Sequence, residues 1–259
     1  MKNTKEFIIK TSAGGLGDHL RLTTIPELAS NNGFECYLDE SNNYSNKDIF
    51  DVVWKNHPFI SGIKKSDDAL DLTDAAYRMI MADRFYKSKL SFIENIEMIY
   101  GFHPTNKTPK LYFSPQNLAF FNDKVLVDLN CKTHFYHYQL DLGTFLPLLI
   151  QQLKPYKPHE IVVLEIPGID NFNKYIPCYE QIPTKNKLFS NSLKEAADIL
   201  CSVKYAILLH SGSSSLSCAL NKPSTTLIRD TEYNYYKKCW NNWLFEPTAY
   251  KVFESHIKV

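Results

Sequence analysis

A short apolar run, Phe7-Ile8-Ile9, leads into Thr11-Ser12-Ala13-Gly14-Gly15-Leu16-Gly17-Asp18. Leu20, Thr24, Leu28 and Ala29 follow at roughly helical spacing, and Asn31-Asn32-Gly33 closes the segment as helices close. Phe34-Glu35-Cys36-Tyr37-Leu38 resumes as a strand. Strand, glycine turn, helix, strand is the opening of a parallel α/β sheet. Pro26, inside the helical stretch, predicts a kink or an early boundary. Glycines at such a turn let the backbone approach a ligand and bend with φ > 0. The helix N-terminus behind them offers N–H groups to an anion. The spacing is neither the G-x-G-x-x-G of dinucleotide binders nor a phosphate loop ending in Gly-Lys-Ser/Thr. Two readings of Asp18 stay open and are compatible: a helix N-cap, or a general base aimed into a cleft.

The 259 residues are 44% hydrophobic and 14% aromatic, which excludes a disordered chain. They suffice for one large core or two small ones. With 29 basic and 28 acidic side chains the formal charge is +1, which argues against a protein built to coat nucleic acid. The six cysteines (Cys36, Cys131, Cys178, Cys201, Cys218, Cys239) form no C-x-x-C pair and read as reduced thiols. There is no apolar run long enough for a membrane span and no apolar N-terminal leader, so a soluble, cytoplasmic protein is expected.

Further along, helices are predicted at about 72–84 and 88–100, and a strand at Leu111-Tyr112-Phe113. Ser114-Pro115-Gln116-Asn117 marks a linker. A second α/β pattern then begins. Its strands are predicted at Val125–Leu129, Ile161–Leu164, Tyr205–Leu209 and, as the last, Thr225–Ile228. Helices are predicted from Leu140 to Leu153, despite Pro147, and from the capping box Ser192-Leu193-Lys194-Glu195 onward. A polar turn, His210-Ser211-Gly212-Ser213-Ser214-Ser215, precedes a short helix that stops before Pro223. The tail, 231–259, is aromatic and basic and reads as a helix packing back. This divides the chain into domains 1–116 and 117–259.

Gly212, the hydroxyls and the amides of a helix N-terminus suit a diphosphate, although a serine-capped turn would look the same. Each turn follows a strand, at the carboxyl end of its sheet, where open α/β sheets bind ligands.

The order strand, Gly-Gly-Leu-Gly-Asp, helix, then Asp51-Val52-Val53 and Asn56-His57-Pro58-Phe59-Ile60, resembles the N-terminal domain of GT-B glycosyltransferases. The ADP-heptose:lipopolysaccharide heptosyltransferases look most similar, with their G-x-G-D turn and N-P-x-I-D segment. Their C-terminal D-S/T-G-x-x-H-L-A-A-A-L-G-K-P block is similar to Ser211-Gly212, then Leu216, Ala219-Leu220 and Lys222-Pro223. The resemblance implies a compact GT-B fold, two Rossmann-like domains facing a cleft. The N-terminal domain would serve the acceptor and the C-terminal domain the nucleotide sugar. It implies Asp18 as catalytic base. It implies a donor site made from Gly14, Gly15 and Gly17 with His210, Ser211, Gly212, Ser213 and Ser214. Lys132 matches the lysine that contacts the diphosphate. The reaction would be inverting and metal-independent, with no cofactor beside the nucleotide-sugar substrate. The chain departs at two positions: His210 replaces the family's Asp, and Ser215 its His. Glycogen synthases also carry a Lys-x-Gly-Gly-Leu-Gly-Asp turn, but Lys10 lies two residues too far away. Both likenesses point to one superfold and a nucleotide-sugar donor.

Asp67-Asp68 reads as a solvated loop, not a metal pair. His134 and His137, in His134-Phe135-Tyr136-His137-Tyr138, have metal-compatible spacing but read as an aromatic segment. The Tyr233–Trp240 stretch could stack on single-stranded nucleic acid, and reads more simply as a packed helix. The acceptor classes left open are a surface glycan, a lipid-linked glycan and a modified base in phage DNA. The many Asn, Lys, Ile and Tyr residues suit a low-GC bacterium or its phage. The rival is a catalytically inactive GT-B-like protein that binds a nucleotide or glycan, or serves as a partner subunit.

Overall fold

The computed structural model describes residues 5–72, 90–131, 142–166, 180–184, 186–231, 233–234 and 249–253. They fall into two compact units that change over between Ser114 and Pro115.

The first unit is built on a parallel sheet, β1 (Lys5–Ile9), β2 (Phe34–Asp39) and β3 (Ile60–Lys64), in the order β1-β2-β3. The segment after the glycine turn splits into α1 (Leu16–Leu20) and α2 (Ile25–Asn31). Pro26 lies in the first turn of α2, where its missing N–H would be unpaired anyway. Leu20, Leu22 and Ile25 are fully buried around this break. Gly33 ends α2 with φ of 81°, a left-handed position that favours glycine. A π-helical turn, Phe50–Trp54, buries Val52, Val53 and Trp54. On the far side of β1, Asp71 makes an isolated parallel bridge to Lys10. The segment α3 (Phe92–Ile99) opens on a capping box, the Glu94 amide donating to Ser91 Oγ and the Ser91 amide to Glu94 Oε2.

Residues 111–113 do not form the expected strand. That stretch runs along α2 instead. The Lys110 amide donates to Thr23 Oγ1 (2.9 Å), its ammonium pairs with Glu27, and the Tyr112 ring packs edge-on to His57. The predicted 72–84 helix lies largely outside the described residues.

The second unit carries six parallel strands: β4 (Val125–Asp128), β5 (Ile161–Glu165), β6 (Lys187–Phe189), β7 (Tyr205–Leu209), β8 (Ser224–Arg229) and β9 (Ala249–Phe253). Their spatial order is β6-β5-β4-β7-β8-β9. Counted within the unit this is 3-2-1-4-5-6, the order of dinucleotide-binding sheets, and it reverses between β4 and β7. Alternate residues Val125, Val127, Ile161, Val163, Ile207 and Leu209 meet Phe145, Leu149 and Leu153 of α4 (Leu142–Leu153). The i, i+4, i+8 spacing on the helix matches the period of two on the strands. Each such side chain contributes about 1.5–3 kcal/mol when buried. Pro147 sits on the exposed face of α4. Next come α5 (Leu193–Ser202), capped by Ser192, and α6 (Gly212–Ala219).

Thr225–Ile228 is not the last strand, as the sequence had suggested. Ala249–Phe253 pairs with β8 from Thr225 to Arg229, and Phe253 joins the core against Phe145. Exposed Lys251 and Val252 suit an edge strand, with Phe253 its buried anchor. The packed-helix expectation for the rest of the tail falls on residues outside the description.

Candidate functional site

In the first unit the glycine turn is strapped to the loop after β2. Asn42 Oδ1 accepts from the Thr11 amide (2.7 Å) and its Nδ2 donates to the Ile9 carbonyl (3.1 Å). The Ser45 amide donates to the Gly14 carbonyl (2.9 Å). A Cβ built on Gly14 would lie 2.9 Å from the Asn43 amide group and 3.0 Å from the Ser45 nitrogen. Gly14 is thus a glycine of close approach. Gly15 has φ of −76°, an ordinary angle for any residue. The left-handed glycines among the described residues are Gly33, Gly62 and Gly101, so positive φ is not what this turn needs.

Asp18 is not the N-cap of α1. Gly15 holds that position, and Asp18 stands at the third helical residue, reaching back. Its Oδ2 accepts from the Gly15 amide (3.2 Å) and its Oδ1 from Arg21 (3.3 Å). The Asp18 side chain is 39% exposed. A carboxylate offers about four acceptor positions, so each oxygen keeps one for an incoming hydroxyl. Arg21 also lies over the Phe92 ring, 4.9 Å from its centre.

His19 and His57 back this turn. Trp54 Nε1–H donates to His19 Nδ1 (3.0 Å), so Nε2 carries the proton and donates to the Asn43 carbonyl (2.8 Å). Tyr44 stacks on the His19 ring. In the same way the Phe59 amide donates to His57 Nδ1, and His57 Nε2 donates to the Thr23 carbonyl (2.9 Å). Burial pushes both imidazoles below their usual range, with the carbonyl bonds opposing it. Both are wired as neutral, structural rings.

Asp39 ends β2, where dinucleotide folds hold a ribose. Here it is engaged within the loop, accepting from the Ser41 amide (2.8 Å), Ser41 Oγ (2.5 Å) and the Ser66 amide (3.0 Å). Burial acts to raise its pKa, but those hydrogen bonds outweigh it and hold the carboxyl below its ordinary value. The loop after β2 forms a shallow, open depression of about 740 Å³ lined by Asn43, Tyr44, Lys47, Phe50 and Ile63, among others.

In the second unit the Ser turn leaves β7 where the strand order reverses. The His210 amide donates to the Leu227 carbonyl (2.9 Å), and the His210 carbonyl accepts from Cys131 Sγ (3.4 Å). Ser211 caps α6, its Oγ accepting from the Ser213 amide (3.3 Å). Ser214 is buried, and its hydroxyl turns back to the Ser211 carbonyl (2.7 Å). At the end of β4 the buried Asp128 carboxylate accepts from the Asn130 amide (2.9 Å) and from Asn130 Nδ2 (2.7 Å). Asp128 and Asn130 were not singled out from sequence. The signal was there, in a polar Asp-x-Asn directly after an apolar strand. Gly14, Gly15, Gly17 and Asp18 share one turn; His210 to Ser214 share another, in the other unit. Lys132 lies outside the described residues, as do His134 and His137. Among the described residues there is no group of three or more His, Cys, Asp or Glu placed to hold a metal ion. None of the described helices is long and apolar enough to cross a membrane.

No family model matches the sequence, and no curated protein matches it significantly. Solved structures do. The iron-containing dodecameric glycosyltransferase TibC of enterotoxigenic E. coli aligns over 88% of this chain at 16% identity, with a TM-score of 0.52. This chain spans 58% of that TibC chain, and 64% of the TibC chain solved with ADP-D-beta-D-heptose. A family 9 glycosyl transferase from Veillonella parvula aligns over 97% of this chain and 86% of its own, at 13% identity and a TM-score of 0.58. E. coli heptosyltransferase WaaC with ADP aligns over 96% and 93%, at 12% identity and a TM-score of 0.54. At such identities the likeness is one of architecture: this chain has the two-sheet parallel α/β fold of these GT-B glycosyltransferases, in a compact form.

Proposed function

We propose that the protein is a glycosyltransferase that moves a sugar from a nucleotide-sugar donor to a hydroxyl acceptor, with inversion and without a metal. The observation that carries this reading is the Ser211–Ser214 turn at the point of strand reversal, in a chain sharing its fold with glycosyltransferases. The amides of the first turn of α6 take the donor diphosphate, with Lys132 adding positive charge, so the leaving group is stabilised by fixed dipoles and a side chain. Asp18 takes the acceptor hydroxyl's proton through the acceptor positions that Gly15 and Arg21 leave open. Gly14, Gly15 and Gly17 shape the turn against the donor, the first two by making room for Asn43 and for the Asp18 carboxylate. The open depression after β2 receives the acceptor, a glycan, lipid-linked or modified-base hydroxyl, with Tyr44, Phe50 and Lys47 in its lining. The reaction takes place in the cytoplasm.

His210 and Ser215, at positions where the related enzymes carry Asp and His, favour a second reading, an inactive nucleotide- or glycan-binding protein or partner subunit. A panel of nucleotide sugars incubated with the protein separates the two. Slow release of free sugar from one donor is the expected result, and binding without any hydrolysis or transfer across the panel supports the rival.

A further inference from the structure

His19 follows Asp18 in α1, and its side chain is fully buried. Its two ring nitrogens are engaged with two different segments. Nε2 donates to the Asn43 carbonyl in the loop after β2 (2.8 Å), and Nδ1 accepts from Trp54 Nε1 in the π-helical turn (3.0 Å). The Tyr44 ring lies flat on the imidazole, with centroids 4.6 Å and planes 11° apart. Tyr44 meets Phe50 edge-on at 6.1 Å, and Phe50 opens the same turn that Trp54 closes. His19, Tyr44, Phe50 and Trp54 thus form a closed ring of contacts. Asn43, Tyr44 and Phe50 all line the depression.

The same loop presses on the glycine turn. The Asn43 and Ser45 amides donate to the Thr11 and Gly14 carbonyls (3.3 and 2.9 Å), and Asn43 Nδ2 donates to the Ser12 carbonyl (3.3 Å). Gly14 has no room for a Cβ beside Asn43, and the next residue, Gly15, holds the Asp18 carboxylate through its amide. A leucine could fill the place of His19, but it could not aim a carbonyl. Hydrogen bonds prefer a narrow range of directions. The Asn43 carbonyl belongs to the peptide that carries Tyr44, so the bond from His19 sets the plane of that peptide and the stand of the Tyr44 ring.

We propose that His19 is a positioning residue: it holds the Asn43–Tyr44 wall of the depression against α1, and so sets where an acceptor sits relative to the Asp18 carboxylate. This rests on the reading of Asp18 as general base and of the depression as the acceptor's seat. His19 acts through the wall and contacts no reacting atom.

Two conservative variants divide the two bonds of the ring. His19→Gln places an amide N–H near the position of Nε2, keeping the bond to Asn43 and losing the one from Trp54. His19→Asn places a carbonyl near the position of Nδ1, keeping the bond from Trp54 and losing the one to Asn43. Each loses one hydrogen bond, so both melting temperatures fall alike. Amide hydrogen exchange of the full chain, followed by NMR, reads the wall directly. In His19→Asn the Asn43 and Ser45 amides exchange about fivefold faster relative to those of β2, the scale of one neutral hydrogen bond. In His19→Gln the same ratio stays within about twofold of wild type. Kinetics use UDP-glucose, ADP-glucose and GDP-mannose as donors, with octyl glucoside and a duplex containing hydroxymethylcytosine as acceptors. His19→Asn raises the acceptor KM about fivefold and leaves kcat within about threefold, and His19→Gln restores KM.

Equal exchange at the wall in the two variants, or faster exchange spread evenly over β2, makes His19 a packing residue and overturns the proposal. So does an unchanged acceptor KM in His19→Asn. Should neither histidine variant fold, Trp54→Phe, which leaves the Asn43 bond in place, keeps the wall's exchange near wild type, and a loosened wall there overturns the proposal. Wild type that neither hydrolyses a donor nor transfers to either acceptor defeats the glycosyltransferase reading and this inference together. Hydrolysis without transfer to either acceptor removes the depression as acceptor seat, and the inference with it, while the donor reading stands. Active wild type, with Asp18→Asn impaired and His19→Asn kinetically normal, defeats the inference alone.

Discussion

The Asp18 carboxylate folds back over the start of its own helix, its Oδ2 3.2 Å from the Gly15 amide nitrogen. A Cβ on Gly15 would stand 2.8 Å from that same oxygen. The glycine and the aspartate are a fitted pair: the bare α-carbon of one leaves the space that the other's carboxylate occupies.

Asp18→Asn separates capping from catalysis. The asparagine carbonyl still accepts from Gly15, so the fold and nucleotide binding persist. Turnover falls about 10²-fold or more, as expected for a lost general base. Steady-state rates with the best donor–acceptor pair check this, and near-wild-type turnover would leave Asp18 a helix cap alone.

Gly15→Ala moves the carboxylate without removing it. The contact is with the free end of a side chain, so Asp18 swings away at little cost to stability. Turnover drops while the melting temperature shifts by less than about 2 °C, a change of a few tenths of a kcal/mol. Gly14→Ala does the reverse. Its Cβ meets the Ser45 backbone as well as Asn43, and overpacking of that kind costs about 1–3 kcal/mol. Urea denaturation of the two variants side by side distinguishes them.

In the Ser turn, Gly212 is the first helical residue of α6 and is not among the left-handed glycines. Gly212→Val therefore folds, and abolishes nucleotide binding by filling the space of the phosphate. Ser213→Ala weakens it only a few-fold, since a single hydroxyl is worth about 1 kcal/mol. Calorimetry with UDP, ADP, GDP and CMP reads both. A folded Gly212→Val protein with normal affinity removes the diphosphate from this turn.

Acid should destabilise the first unit through His19 and His57. Both have folded-state pKa values below the ordinary 6.5, so the unfolded chain takes up the protons first. Their contribution is complete above about pH 6.5 and is lost as pH falls below it, by at most about 1.4 kcal/mol per pH unit for each ring. Asp128, whose pKa is raised, has the opposite sign. The comparison is therefore between wild type and His57→Gln, melted from pH 7.5 to 5.0. The variant starts less stable and loses less on acidification. Parallel curves would mean that His57 takes up no proton on unfolding in this range.

The parts of the fold that repeat on a fixed period were legible in the sequence. The apolar strands Val125–Leu129 and Tyr205–Leu209, the capping box at Ser192 and the break at Pro26 all announce themselves within a few residues. Leu111–Phe113 misled because its apolar pattern suits a strand, whereas the partners of Lys110 and Tyr112, Thr23, Glu27 and His57, lie 55 to 87 positions upstream. Asp128-x-Asn130 was readable as a polar pair after an apolar run, but the bond from Asn130 to the Leu164 carbonyl follows only from the pairing of β4 with β5. The glycine turn was found, but the positive φ expected of it is absent: Gly14 and Gly15 make room for neighbours, Asn43 and Asp18.

The reversal of strand order has a consequence for synthesis. β4 is central in the finished sheet, yet one of its edges is covered only by β7, about 80 residues later in the chain. At 5–20 residues per second, roughly 4 to 16 seconds pass on the ribosome with Val125-Leu126-Val127 displaying unpaired amides and carbonyls. An exposed apolar edge is a template for pairing with other chains. The hazard for this protein is thus a transient one, greatest between the emergence of β4 and of β7, and slow translation over residues 130–205 should increase the fraction lost to aggregation.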